Sequence, residues 1–66
     1  MQIILNGQTT KTQQTTLDAL LTEQGYDVNS AIATALDGKF VAKEQRQHTP
    51  LHAACVIDVV APMQGG

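Results

Sequence analysis

The sequence predicts an α+β fold, in which a mixed sheet of four to five strands packs on one helix. Two dipeptides, Asn6-Gly7 and Asp37-Gly38, each mark a tight hairpin, because both central residues of such a turn take positive φ values. One amphipathic helix pattern lies between the two turns, and one apolar strand pattern follows the second. Because a single helix cannot cover both faces of a sheet, we expect two layers.

The first predicted element is a β-hairpin. Residues 1–5 are mostly apolar and begin a strand, which ends at the Asn6-Gly7 turn. A return strand through Thr9 and Lys11 follows, and its threonines are β-branched residues that favour extended backbone.

The second element is a short amphipathic helix. Thr15 is a suitable N-cap, and Asp18 places a negative charge near the positive end of the helix dipole. Gly25 stands where a left-handed residue commonly ends a helix. Three leucines at spacing i, i+3 and i+4 form one apolar stripe, which we expect to face the sheet: Leu17, Leu20 and Leu21.

A second hairpin follows the helix. Residues 31–36 predict a strand with Ile32, Thr34 and Leu36 on one face and small alanines on the other. The Asp37-Gly38 turn leads into a further strand over residues 39–42. The chain is then polar and irregular up to Pro50, with room for one helical turn.

The final strand covers residues 56–60, with Ile57 and Val59 on one face and Asp58 on the other. We expect it to lie parallel to the first strand in the centre of the sheet, since its apolar run suits a central position, where polar alternation is lost. This order of hairpin, helix, hairpin and central last strand is the β-grasp arrangement.

Length and composition predict a single domain over residues 1–66, with a flexible tail over residues 61–66. The net charge is -2, from four Lys or Arg and six Asp or Glu without a basic cluster, which argues against a nucleic-acid partner. No apolar run approaches the ~20 residues of a membrane-spanning helix, and no basic, apolar leader opens the chain. One cysteine forms no internal disulfide, so we expect a cytoplasmic protein with no membrane partner.

The small size of the chain argues against an enzyme. A catalytic pocket needs a surrounding shell that excludes water, and this chain has no Trp and only Tyr26 and Phe40 as aromatic residues. We therefore expect that the protein takes part in a reaction as a substrate, carrier or partner of an enzyme. It would then have no catalytic residue and no cofactor of its own.

Four motifs together resemble the ThiS family, the small ubiquitin-like sulfur carriers of thiamine biosynthesis. They are the Asn6-Gly7 hairpin, the Thr-Leu-x-x-Leu-Leu helix opening at residues 16–21, the Asp37-Gly38 turn, and Gly65-Gly66 after a Val-rich strand. Their order and spacing match that family over the whole chain, including its length.

Three short segments depart from the family pattern. The mid-chain turn is Asp37-Gly38, where the family usually has Asn-Gly, and Val41-Ala42-Lys43 stands where Val-Pro-Arg is common. The largest change precedes the last strand, where Ala54-Cys55 replaces a common Gly-Asp turn.

The resemblance implies that the carboxyl group of Gly66 is the modified group, with Gly65 and Gln64 recognised in the tail. An E1-like adenylyltransferase, which uses ATP, would adenylate this carboxylate, and a persulfide sulfur donor would convert it to a thiocarboxylate. The thiocarboxylate would then hand its sulfur to thiazole synthase. Glycines lack a Cβ atom, so such a tail can enter a narrow channel, and Pro62 biases Ala61 toward extended backbone.

A sheet covered on one face leaves a second face open for docking. Phe40, Val41 and Val60 are the candidate docking residues, with an edge of Val41 or Val60 expected to point outward. Three basic residues could add a modest rim: Lys39, Lys43 and Arg46.

A run of possible metal ligands precedes and enters the last strand. His48, His52, Cys55 and Asp58 have the spacing i, i+4, i+7 and i+10, which would align them on a helix. Pro50 lies inside the run, so we expect a surface loop and no metal site. No neighbour that would activate the Cys55 thiol is visible, and we expect it to be buried and unreactive.

Three other functions remain open from the sequence. A molybdopterin-synthase small subunit uses the same tail chemistry but stays docked to a large catalytic subunit. An interaction module with the same fold would keep its tail unmodified, and a metal-binding mini-domain is the weakest alternative.

Overall fold

The computed structural model describes residues 1–61. Over these residues the chain forms five strands, one α-helix and one 3₁₀ helix. The strands are β1 (Gln2–Leu5), β2 (Gln8–Lys11), β3 (Ala33–Leu36), β4 (Lys39–Val41) and β5 (Val56–Val60). The α-helix α1 is Leu17–Glu23, and the 3₁₀ helix is Lys43–His48.

The five strands form one mixed sheet in the order β2-β1-β5-β3-β4. β1 pairs antiparallel with β2 and parallel with β5, and β3 pairs antiparallel with both β5 and β4. The last strand therefore lies in the centre of the sheet, parallel to the first. The predicted α+β, β-grasp architecture is confirmed.

Both predicted hairpin turns are present and have the expected backbone. Asn6 and Gly7 have φ values of 49° and 81°, and Asp37 and Gly38 have φ values of 51° and 83°. Two consecutive positive φ values define a type of turn whose twist matches the right-handed twist of the antiparallel strands on either side.

The α-helix begins one residue later than the sequence predicts. Its N-cap is Thr16 rather than Thr15, and the Thr16 hydroxyl accepts the Ala19 N–H at 3.3 Å. The Thr15 carbonyl instead accepts the Leu51 N–H at 2.8 Å, as part of a short bridge between Thr16 and Pro50. This long-range pairing keeps Thr15 outside the helix and leaves Thr16 in the extended conformation that an N-cap requires.

The helix ends at Glu23, and Gly25 follows its C-cap residue Gln24 with a φ value of 88°, the left-handed conformation expected there. The Tyr26 N–H bonds to the Leu21 carbonyl at 3.0 Å, and the Gly25 N–H bonds to the Thr22 carbonyl at 3.1 Å. These two bonds satisfy carbonyls that the end of a helix otherwise leaves without partners.

The core lies between α1 and one face of the sheet. The leucine stripe of the helix is fully buried, as predicted, and it meets alternate residues of the strands. Within residues 1–61 the buried apolar side chains are Ile3, Leu5, Leu17, Leu20, Leu21, Val41, Leu51, Cys55, Ile57 and Val59.

Two expectations about the strands need correction. β3 begins at Ala33 rather than at residue 31, because the preceding residues form local turns: Ser30 N–H bonds to the Asp27 carbonyl and Ile32 N–H to the Ser30 carbonyl. β5 is central yet keeps a strict alternation of exposed and buried residues. The described residues cover only one face of this sheet, so a central strand still has an open side.

Arg46 does not join a basic rim, contrary to expectation. It lies in the 3₁₀ helix and is 2% exposed. Its Nε donates to the Thr34 hydroxyl at 3.2 Å, and its Nη2 donates to the Ile32 carbonyl at 2.8 Å. The guanidinium group therefore ties the 3₁₀ helix to the start of β3.

Candidate functional site

The candidate site is the C-terminal end of β5, from which the predicted tail leaves the sheet. Gln64, Gly65 and Gly66 lie outside the described residues, so their predicted roles stay predictions. Val60 is the last residue of β5, and the exposed Ala61 is the last described residue. The described part of the site is therefore the strand that carries the tail.

Hydrogen bonds on both edges hold β5 in place. On one edge, four consecutive residue pairs join it to β3, from Leu36 opposite Ile57 to Ala33 opposite Val60. On the other edge, the Ile4 N–H bonds to the Cys55 carbonyl at 2.9 Å. The Asn6 N–H bonds to the Ile57 carbonyl at the same distance. The strand is thus fixed almost to its last residue.

The Asn6 side chain adds one further bond to β5. Its amide oxygen accepts the Val59 N–H at 2.8 Å, and its amide nitrogen donates to the Tyr26 hydroxyl at 3.2 Å. β1 ends at Leu5, where the chain turns into the hairpin, so a side-chain oxygen replaces the next backbone carbonyl of the ladder. Sequence reasoning assigned Asn6 only to the turn and missed this role.

Val60 and Phe40 lie on the open face of the sheet, the side of β3, β4 and β5 that faces away from α1. Their exposed fractions are 65% and 73%. Val41 is 9% exposed and belongs to the core, so of the two residues expected to present an outward edge, Val41 or Val60, it is Val60 that does so. Val41 pairs with the buried Thr34 and Phe40 pairs with Ala35, and neighbours in a strand face opposite sides.

An ion pair joins the second hairpin to the loop before β5. His52 Nε2 lies 2.7 Å from Asp37 Oδ2, and Asp37 Oδ1 accepts the Val56 N–H at 2.9 Å. The bond from Val56, followed by the bond from His52, lowers the pKa of Asp37. The bond to Asp37, followed by one to the Ala53 carbonyl, raises the pKa of His52. The histidine that was expected to be incidental therefore has a structural partner.

The possible metal ligands do not share one helix. His48 ends the 3₁₀ helix, His52 pairs with Asp37, Cys55 is fully buried as expected, and Asp58 lies on β5. In the described part of the chain, no group of three or more His, Cys, Asp or Glu residues is placed to hold a metal ion. Over the same residues, no helix has the length and apolar character needed to cross a membrane.

Comparisons with known proteins point to one family. The sequence model of the ThiS family matches residues 3–66. A crystal structure of a thiamine biosynthesis protein (ThiS) from Geobacter metallireducens is similar over 100% of both chains, with a TM-score of 0.83 and 17% sequence identity. At that identity the likeness shows the fold alone. No curated protein matches the chain at a significant level.

Proposed function

The chain belongs to the ThiS family, and from this premise we propose that it carries sulfur for thiamine biosynthesis on the carboxyl group of Gly66. Proteins of this family are ubiquitin-like sulfur carriers that serve partner enzymes. The observation that supports the proposal most directly is the extent of the family match, which runs through the Gly65-Gly66 pair.

Activation of the Gly66 carboxylate is the first step of the proposed cycle. A carboxylate is a poor electrophile, because attack on it adds charge to a group that is already anionic. One carboxylate oxygen attacks the α-phosphorus of ATP on the adenylating enzyme, and pyrophosphate leaves. The resulting acyl adenylate carries AMP as a good leaving group.

Sulfur replaces oxygen in the second step. A hydrosulfide ion attacks the acyl carbon, AMP leaves with its oxygen, and the proton is lost to give the thiocarboxylate. When the nucleophile is a protein persulfide, the product is an acyl disulfide, and a thiol must then cleave its S–S bond. The thiocarboxylate sulfur is the nucleophile that thiazole synthase consumes.

The chain supplies the acyl group and holds it on a folded support. β5 is bonded on both edges up to its last residues, so the support immediately before residues 62–66 is rigid. The adenylating enzyme, the sulfur donor and thiazole synthase supply the catalytic groups. We propose that they dock on the open face through Phe40 and Val60, whose apolar side chains are exposed beside the end of β5.

Intact-mass measurement tests the carrier function. The mass of the purified protein is measured first, to verify that it ends at Gly66. The protein is then incubated with ATP, an E1-like adenylating enzyme and a sulfide source. We expect a mass increase equal to the exchange of one oxygen for sulfur. An interaction module with an unmodified tail would show no change.

Two variants of the last residue serve as controls for the site of modification. Deletion of Gly66 and Gly66→Val should both abolish the mass change while leaving the melting temperature unaltered, since both leave every residue of the described fold, 1–61, unchanged. Lys11→Ala, at the far edge of the sheet on β2, should react like the wild type. Sulfur transfer to the truncated protein would contradict the proposal.

The thiamine assignment needs a second measurement. The thiocarboxylate form should support product formation by thiazole synthase. A stable complex with the large subunit of molybdopterin synthase would assign the carrier to that pathway instead.

A further inference from the structure

Asp58 is an exposed acidic residue on the open face, in the middle of β5. It lies in β5 between Val56 and Val60, whose side chains point to the same side of the sheet. In the next strand it pairs with Ala35, and Ala35 pairs in turn with Phe40 of β4. A row across three strands therefore runs from the carboxylate through a small residue to an aromatic ring.

The surroundings of Asp58 are apolar. Four large hydrophobic residues are exposed within residues 1–61, and three of them lie around it: Phe40, Val56 and Val60. No hydrogen bond or ion pair to the Asp58 side chain occurs within the described part of the chain, where the one ion pair is Asp37 with His52. The carboxylate thus has water as its partner while the face is uncovered.

A protein that covers this face must compensate the Asp58 carboxylate for its lost hydration. Burial of Phe40 and Val60 is favourable, but removal of a carboxylate from water without a partner is costly. Asp58 lies between Val56 and Val60 on β5 and in the same cross-strand row as Phe40, so a surface that contacts all three apolar residues also covers the carboxylate. A cationic group placed opposite Asp58 compensates the lost hydration best, because its hydrogen bonds to a carboxylate are about twice as strong as those of a neutral donor.

We propose that the open face binds a partner surface that carries an apolar patch with an Arg or Lys aligned to Asp58, and that this partner is the adenylating enzyme. The assignment of the enzyme rests on the proposed function. Asp58 then acts as a specificity determinant, because surfaces that are only apolar, or that carry an acid at this point, are rejected.

A second copy of the chain fits this face poorly. A two-fold contact centred on β5 brings the two Asp58 carboxylates together, and each chain already carries a net charge of -2. The same charge that selects a cationic partner therefore disfavours self-association through the exposed apolar residues.

Charge variants at Asp58 test the inference against the purified adenylating enzyme. We expect Asp58→Asn to weaken binding about tenfold and Asp58→Lys about a hundredfold or more, as for loss and reversal of a buried charge pair. Binding is titrated without ATP, and KM and kcat are measured separately in ATP–pyrophosphate exchange. The loss of affinity should appear as a higher KM with kcat unchanged, since the Asp58 side chain takes no part in adenylation of the Gly66 carboxyl group.

Asp18 provides the matched control. It lies in the first turn of α1, on the opposite side of the sheet, and Asp18→Asn and Asp18→Lys make the same changes in net charge. These controls should bind and react like the wild type. Thermal melting of all four variants checks that each is folded.

The outcomes separate the two proposals. Normal reaction of both Asp58 variants would overturn this inference and leave the carrier function intact. Equal losses in the Asp58 and Asp18 variants would mean that net charge, rather than this position, governs binding. Failure of the wild type to bind the enzyme would overturn both proposals. If Asp58→Asn dimerises while the wild type and the Asp18 variants stay monomeric, this would support the inference that the Asp58 charge prevents self-association.

Discussion

At the scale of single residues, Asp37 shows how one side chain can link distant segments. Its backbone occupies the left-handed region at the second hairpin, with φ at 51°. One carboxylate oxygen accepts the Val56 N–H and the other contacts His52. Asp37 therefore joins the turn after β3 to both the loop before β5 and the start of that strand.

His52 is arranged to be protonated. Nε2 faces Asp37 Oδ2, and Nδ1 lies 3.1 Å from the Ala53 carbonyl oxygen, so both ring nitrogens face acceptors. Only the imidazolium form donates from both nitrogens. This geometry agrees with the raised pKa of His52.

We expect the contribution of this pair to stability to depend on pH. The pKa of His52 is raised, so its contribution is complete below its usual pKa of about 6.5 and is lost as pH rises through the raised value. The pKa of Asp37 is lowered, so its contribution is present above its usual pKa of about 3.9 and is lost as pH falls through the lowered value. The contribution is therefore greatest between about pH 4 and pH 6.5.

Thermal melting of His52→Gln between about pH 4 and about pH 9 measures the effect. The wild type should melt above the variant near pH 5.5, and the difference should shrink as pH rises through the pKa of His52. His48→Gln is the matched control, since His48 is exposed and lacks a carboxylate partner within residues 1–61. A difference that stays constant up to pH 9 would contradict the assignment.

Ala54 lies in a backbone region that suits glycine. Its φ value is 65°, in the left-handed region where a Cβ atom is strained against the backbone. Ala54→Gly relieves the clash between Cβ and backbone but adds freedom to the unfolded chain. We expect a net gain of about 0.5–1 kcal/mol in the free energy of unfolding.

Urea denaturation measures this gain. Ala53→Gly is the control, because the φ value of Ala53 is not positive. The control should lose stability, since glycine there brings only the entropy cost. A loss of stability in both variants would show that Ala54 is not strained.

At the scale of elements, β5 depends on residues from the whole chain. β1 and β3 supply its edge bonds, and the Asn6 side chain extends the parallel ladder past the end of β1. The Arg46 contacts hold the residues that lead into β3, beside the end of β5. The strand that carries the tail is thus positioned by contacts remote in sequence.

Substitution of Asn6 tests its side-chain bonds, of which the one to β5 is the shorter: 2.8 Å from Val59 N–H against 3.2 Å to the Tyr26 hydroxyl. Asn6→Asp keeps an acceptor for the Val59 N–H and tolerates positive φ, whereas Asn6→Gly keeps the backbone but removes the acceptor. We expect Asn6→Gly to lose about 1 kcal/mol, as for a typical hydrogen bond, and Asn6→Asp to lose less. Equal stability of the two variants would show that the bond contributes nothing.

Amide hydrogen exchange locates this effect. The Val59 amide should exchange faster in Asn6→Gly than in Asn6→Asp, because only the first lacks a partner for it. The Ile57 amide, nearer the middle of β5, provides the internal reference.

At the scale of the whole molecule, residues 1–61 form one helix layer, which covers one face of the sheet. Adjacent residues of β4 experience opposite environments: Val41 is in the core and Phe40 is the most exposed of the large apolar residues in residues 1–61. A domain of this size has a total stability of only about 3–10 kcal/mol. A single charged residue introduced on the core-facing side is therefore enough to unfold the domain.

Aspartate at these two positions should have opposite consequences. Val41→Asp buries an unpaired carboxylate, and we expect it to lose more than about 3 kcal/mol and to be largely unfolded. Phe40→Asp should keep the wild-type melting temperature but bind the adenylating enzyme weakly. Circular dichroism and titration separate these results, and a folded Val41→Asp variant would contradict the two-layer architecture.

Local signals were sufficient for most of the fold. Asn-Gly and Asp-Gly tolerate positive φ, which places both turns, and the leucine spacing identifies the helix face without reference to the rest of the chain. The N-cap was one residue wrong because a contact with residues 49–51 decides it. Arg46 was misplaced for a similar reason, since its partners Thr34 and Ile32 are 12 and 14 residues away.

The sequence by itself determined the element order, the two turns, the helix stripe and the family, because each depends on residue types at short spacing. It also directed attention to the carboxyl group of Gly66, whose role stays a prediction. Only the tertiary structure decided that Val41 points inward and Phe40 outward, that Asn6 completes the bonding of β5, and that Asp58 lies among exposed apolar residues. These facts depend on strand register and on which face the single helix covers, and neither is encoded in any one segment.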